Sequence, residues 1–202
     1  VWGTWSTCTG SWAGRDIVAI KLACAVLAVA AATAACNGAD SPAVTPKATP
    51  QQAFDQIPGQ FPEQAPGIPG ASIAPVGACV SLDGPSTAAK LKVVDCGSPS
   101  NGYKVIQRVP TPAECPADVD HKFYMYPDEG EFTACLDYAW SANDCLSIGK
   151  VTAVRAACDD ASKPKREKPL NLVLNTTTNA DCPTGGFPHP VRRFTVCTET
   201  QK

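Results

Sequence analysis

The chain has 202 residues, 18% of them charged, with a formal net charge of −2 at pH 7, and this balance excludes the basic footprint that nucleic acid requires. Its 11 Cys are many for a cytosolic protein of this length, and 19 Pro with 15 Gly point to linkers and a loop-rich domain. The length allows one ordinary domain with appendages, or two very small ones.

Residues 1–17 are rich in Trp and Gly and carry no apolar period, so they read as an N-terminal extension, with translation expected to start near Val18. Residues 18–35 then read as a signal peptide. Lys21, with Arg15 upstream, supplies the charge, residues 22–32 the apolar run, and Thr33-Ala34-Ala35 the small residues. The run before Cys36 is short and Ala-rich, whereas a spanning helix needs about 20 predominantly apolar residues. Small residues followed directly by Cys36 resemble the lipobox of bacterial lipoproteins, although Thr33 stands where that motif has Leu. The resemblance implies a diacylglyceryl group on the Cys36 thiol and cleavage of the bond before it. The alternative is an ordinary secretory signal cut elsewhere.

Residues 36–76 comprise the lipidated Cys and a Pro-rich tether. From Asn37 on, the 40 residues hold eight Pro and four Gly, and Phe54, Ile57, Phe61 and Ile68 are scattered without a helical or strand period. Such a segment buries too little apolar surface to offset the cost of ordering, so it is expected to be disordered or partly polyproline II. Ser41, Thr45 and Thr49 lie beside Pro and are weak candidates for O-glycosylation.

Beyond the tether the chain repeats itself, over residues 77–140 and 141–202. Cys79, Cys96, Cys115 and Cys135 answer Cys145, Cys158, Cys182 and Cys197. CVSL answers CLSI, each third Cys is followed by Pro, and Phe132-Thr133-Ala134-Cys135 answers Phe194-Thr195-Val196-Cys197. Short β-prone runs recur in both halves. They are CVSL, LKVVDC, YKVIQRV, residues 123–126 and residues 132–136 in the first, and CLSI, VTAVRAAC, LNLVL and residues 192–197 in the second. No long helical stripe is present, and at most a short helix is expected near Cys115 or Cys182. The fold class is therefore mainly β, with a small α+β domain as the alternative, in two tandem, pseudo-symmetric, disulfide-stapled modules. Modules this small need staples, and each disulfide can contribute about 3 kcal/mol. If both repeats use one self-contained scheme, three pairings remain. First-to-second and third-to-fourth is favoured, because each such pair sits on segments expected to be adjacent strands.

The lipobox, the Pro-rich tether and the paired C-V-x-L, V-V-D-C, Y-K-V-I, C-P and F-T-x-C-L motifs together resemble the actinobacterial lipoproteins of the LppU type, over residues 18–197. A single half-repeat also resembles the cysteine-bearing septum-formation domain of actinobacteria. The first resemblance implies an exported, lipid-anchored envelope protein and says little about chemistry. The second repeat departs from the pattern, with Ala157 before Cys158 and LNLVLN in place of YKVIQR, so a site built on the first repeat would be single.

No hydrolase, zinc-protease, dinucleotide or phosphate-loop motif is present. No cysteine pair has the C-x-x-C spacing of redox enzymes. His121, in Asp118-Val119-Asp120-His121-Lys122, reads as part of a solvated loop, and His189 lies between Pro188 and Pro190 with no metal partner in the sequence. The acidic residues Asp128, Glu129 and Glu131 read as a turn rather than a calcium loop. The run Lys163-Pro164-Lys165-Arg166-Glu167-Lys168 reads as a solvated loop, with lipid headgroups or anionic cell-wall polymer as the alternative partners. Asn175-Thr176-Thr177 matches a glycosylation sequon of no consequence in most bacteria. Tyr124, Tyr126, Tyr138 and Trp140 are the candidate binding patch, with core or seam as the plainer reading. A groove is expected at the junction of the repeats, near residues 138–143. The function expected is a non-catalytic binding or envelope module without cofactor or metal, held on the membrane through Cys36 and facing cell-wall polymer or an envelope protein. A structural partner of an envelope enzyme and a cryptic hydrolase are the alternatives.

Overall fold

The computed structural model describes residues 50–85, 88–126, 130–150 and 152–202. The N-terminal extension, the signal peptide, Cys36 and the first part of the tether lie outside them. Among the described residues, ten strands form two antiparallel five-stranded sheets. The first holds β1 (Cys79–Asp83), β2 (Lys90–Val93), β3 (Tyr103–Val109), β4 (His121–Met125) and β5 (Phe132–Tyr138), in the order β2-β1-β3-β5-β4. The second holds β6 (Cys145–Ile148), β7 (Ala153–Ala156), β8 (Arg166–Leu174), β9 (Gly186–His189) and β10 (Phe194–Gln201), in the order β7-β6-β8-β10-β9. The two orders are the same order, so the duplicated cysteine pattern is a duplicated fold.

The correspondence extends to an irregularity. The β3–β5 register slips at Ile106, where β5 steps from Cys135 to Leu136. The β8–β10 register slips at Leu170, where β10 steps from Cys197 to Thr198. Each repeat thus bulges directly after its fourth cysteine. In the first repeat the bulge lets neighbours on one strand serve two cores. Val105 joins the large cluster with Phe132 and Leu136, while Ile106 packs with Val109 and the cystine of Cys115 and Cys135. The disulfides link Cys79 to Cys96, Cys115 to Cys135, Cys145 to Cys158 and Cys182 to Cys197, the favoured scheme. The short helix expected near Cys115 is one 3-10 turn, Pro112–Glu114.

Three expectations are corrected. First, the tether is not disordered from Pro50 onward. A short helix, α1 (Pro50–Asp55), brings Phe54 and then Ile57 to 3% and 4% exposure in the core of the second repeat, beside Trp140 and Phe194. The chain then runs along the first repeat, where the side-chain amide of Gln64 exchanges two hydrogen bonds with the backbone of Arg108. The buried Arg108 guanidinium donates to the carbonyls of Pro69 and Ala74. Gly70 lies so close to the Phe132 ring that a Cβ there would sit 2.3 Å from it. Second, the basic run is not wholly a solvated loop. Arg166 opens β8, is 4% exposed, and donates to the carbonyls of Cys158, Asp160, Lys163 and Lys202. Third, His121 lies in β4, half-buried against Tyr103, rather than in a solvated loop. Among the described residues no helix is long and apolar enough to cross a membrane.

Candidate functional site

The two repeats meet at the segment between β5 and β6, and a cleft of about 350 Å3 opens there. Ala139, Trp140, Ser141 and Asn143 line it, which is where the groove was expected. One wall comes from the first repeat, with the cystine of Cys79 and Cys96, Asn101 and Lys104; the other comes from Asp144 and Arg155 of the second, with Asp55 from α1. Contact between the repeats is close here because residue 102 is glycine. A Cβ on Gly102 would lie 1.8 Å from the Ala153 carbonyl oxygen.

The charges of the cleft balance. Arg155 pairs with Asp144 at 3.1 Å and donates to the Ala139 carbonyl at 3.0 Å. Lys104 reaches the Asp55 carbonyl at 3.4 Å. Burial lowers the Lys104 ammonium below its ordinary range, and the nearby Asp55 carboxylate pulls it back. Behind the surface, Asn101 Oδ1, Trp140 Nε1 and Arg155 Nε are buried without a hydrogen-bond partner. The cleft is thus a mixed polar cavity of the size that holds a small ligand.

The aromatic patch divides in two. Tyr138 stacks on Tyr103, and Trp140 and Phe187 meet it edge-on, so Tyr138 and Trp140 form the seam between repeats. Burial, with the charge of Asp120, pushes the Tyr138 hydroxyl up to about 12. Tyr124 and Tyr126 form a separate edge-to-face pair, with Tyr126 69% exposed. The register, which sets Tyr124 opposite Thr133, puts them roughly 16 Å along the sheet from Tyr138.

A second constellation, which sequence reasoning missed, lies where β4 and β5 meet the β9–β10 turn. Arg192 forks onto Asp137 at 2.6 and 3.0 Å, reaches Asp118 at 2.8 Å, and donates to the carbonyls of Asp118 and Gln60. Gln60, from the segment expected to be tether, donates to Asp137 at 3.1 Å. His189 is 1% exposed, stacks on Phe194 at 4.2 Å, and sits 3.5 Å from Asp120, which accepts the Tyr138 N–H. Burial alone would raise Asp118, but the hydrogen bonds and charge of Arg192 prevail and hold it below the usual carboxylate range. Burial, with the charge of Asp120, pushes Asp137 up against the pull of Arg192. The carboxylate nearest His189, that of Asp120, therefore comes from the other repeat.

The cluster draws on positions where the duplication has diverged. Met125 stands opposite Phe132 in the first repeat, where His189 stands opposite Phe194 in the second. Two residues beyond the fourth cysteine, buried Asp137 in the first repeat answers exposed Glu199 in the second. The site is therefore single, not duplicated. No family model, curated protein or solved structure matches the chain.

Proposed function

We propose that this chain is an exported lipoprotein of the LppU type, anchored to the membrane through Cys36, whose duplicated domain is a non-catalytic binding module. The cleft between the repeats would take a small polar group of the cell wall, such as a saccharide unit of its polymer. The observation that carries this reading is the charge balance of the cleft, Lys104 and Arg155 against Asp55 and Asp144. It favours a neutral or zwitterionic polar ligand over a strongly charged or greasy one. Four disulfides within small repeats support an oxidising compartment, and hence export. Anchoring rests on the lipobox-like residues before Cys36, since two acyl chains give stable membrane attachment.

The test is calorimetric titration of the purified protein with soluble cell-wall glycan fragments. Saturable binding, weakened in Lys104→Ala and Asp144→Ala, is expected; no binding, or binding indifferent to both variants, removes the cleft as the site. Metabolic labelling with a lipid precursor should mark the wild type and not Cys36→Ala. A second reading, docking to an envelope protein, rests on the Tyr124–Tyr126 pair, in which Tyr126 is exposed, and would be supported by binding that Tyr126→Ala abolishes.

A further inference from the structure

The buried cluster around His189 gathers three carboxyl groups in one place. Asp118 and Asp137 are 3% and 2% exposed at their side chains and Asp120 is 9%, while Arg192, at 5%, pairs with Asp118 and Asp137. Three carboxyl groups thus crowd around one guanidinium and the His189 ring, with Lys104 opposite Asp137 in the β3–β5 ladder. Carboxyl groups this deeply buried are stable only where each finds a compensating partner.

His189 adds an independent observation. Its side chain is 2% exposed, and neither ring nitrogen has a hydrogen-bond partner. The 3.5 Å between Nε2 and Asp120 Oδ2 is too long to count as a hydrogen bond. A buried imidazole with both nitrogens unbonded, set among carboxylates, has the chemistry of a metal ligand. One donor atom from each of Asp120, Asp137 and His189 lies within 4.8 Å of the others.

We propose that His189, Asp120 and Asp137 bind one divalent cation of the zinc type. One imidazole with two carboxylates is a donor set that zinc accepts. Each donor is already held in place. Asp120 Oδ2 takes the Tyr138 N–H, Asp137 is fixed by Arg192 and Gln60, and the Phe194 ring stacks on the imidazole. Arg192 does not exhaust Asp137. Oδ2 accepts from both Arg192 and Gln60, whereas Oδ1 accepts from Arg192 alone and keeps a lone pair. Such outer partners orient metal ligands in characterised sites. The cation would join the residue before β4, and β5, of the first repeat to β9 of the second.

The test uses the full chain, stripped with chelator and labelled with 15N at its two histidines, then titrated with zinc while the ring signals are followed by NMR. Reading the rings rather than total zinc avoids metal taken by Cys8, Cys24 or Cys36. A saturable change at Nε2 of His189 at one equivalent is expected, with little change at His121. Affinity should fall at least tenfold in Asp120→Asn, whose retained strand circular dichroism and disulfides would show that it folds. No saturable change at His189, a response confined to His121, or equal affinity in Asp120→Asn would overturn the proposal. Because the wild-type readout needs no variant, misfolding of Asp120→Asn leaves the test intact.

Discussion

Replacing Arg192 with Met keeps most of the side chain's length and removes its charge. Arg192 ties three distant stretches together, through Asp118, Asp137 and Gln60. The variant would leave Asp118 and Asp137 buried without their counter-charge, and breaking a buried pair from one side costs about 3–5 kcal/mol. For a domain of this size each kcal/mol lowers Tm by about 2–4 °C, so a fall of about 6–20 °C is expected by calorimetry under oxidising conditions. Arg193→Ala is the matched control. Its side chain is exposed and holds only the Asn175 carbonyl at 3.2 Å, so it should move stability by less than about 0.5 kcal/mol. Adding Asp137→Asn to Arg192→Met should return part of the loss, because a neutral amide no longer needs a buried cation. Equal Tm changes in the Arg192 and Arg193 variants, or additive losses in the double variant, would refute the account of this cluster as a coupled ionic clasp.

Two further predictions concern packing. Phe54→Ala should release the N-terminal segment, since Phe54 is 3% exposed in the second core and deleting a buried Phe costs about 3–5 kcal/mol. Limited proteolysis should then cut within residues 50–60 of the variant before it cuts the wild type, and identical digestion would restore the disordered tether. Gly102→Ala forces a Cβ onto the Ala153 carbonyl and should cost at least about 1–3 kcal/mol by thermal denaturation, whereas a Cβ at Gly97 meets nothing within 4 Å. Equal stability of the Gly102 and Gly97 variants would show that the repeats are not packed this closely.

Much of the fold was legible because the chain states it twice. Four cysteines in each of two matching contexts reduced the pairing problem, and β-prone runs beside those cysteines located most strands. The failures have physical causes. β9 contains Pro188 in a run, GFPH, that lacks β-branched residues, and it forms because it is an edge strand, where a missing donor is tolerated. β8 opens in a charge run and carries Pro169, yet it is the middle strand of its sheet. Arg166 is buried by donating to carbonyls, and Pro169 sits at the register slip, where the ladder is already interrupted. Residues 50–76 were misjudged because their order comes from isolated anchors and from amide and guanidinium bonds to another part of the chain, neither of which leaves a period. The His189 cluster was invisible for a related reason. Its members come from both repeats, and the residues that make it are those at which the repeats differ, so a search for similarity passes over them. The cleft was located because it follows from the duplication itself, at the join between two copies.

The cystine map has a consequence for how the molecule comes apart. Every disulfide closes within one repeat, so among the described residues only the peptide linking β5 to β6, residues 139–144, joins the halves covalently. A single nick there would yield two fragments, each stapled by two cystines and still clasped by Arg192, the Gly102 contact and the N-terminal segment. Under oxidising conditions the cut protein would behave as a non-covalent heterodimer of two related halves, and its cleft would lie at the subunit interface.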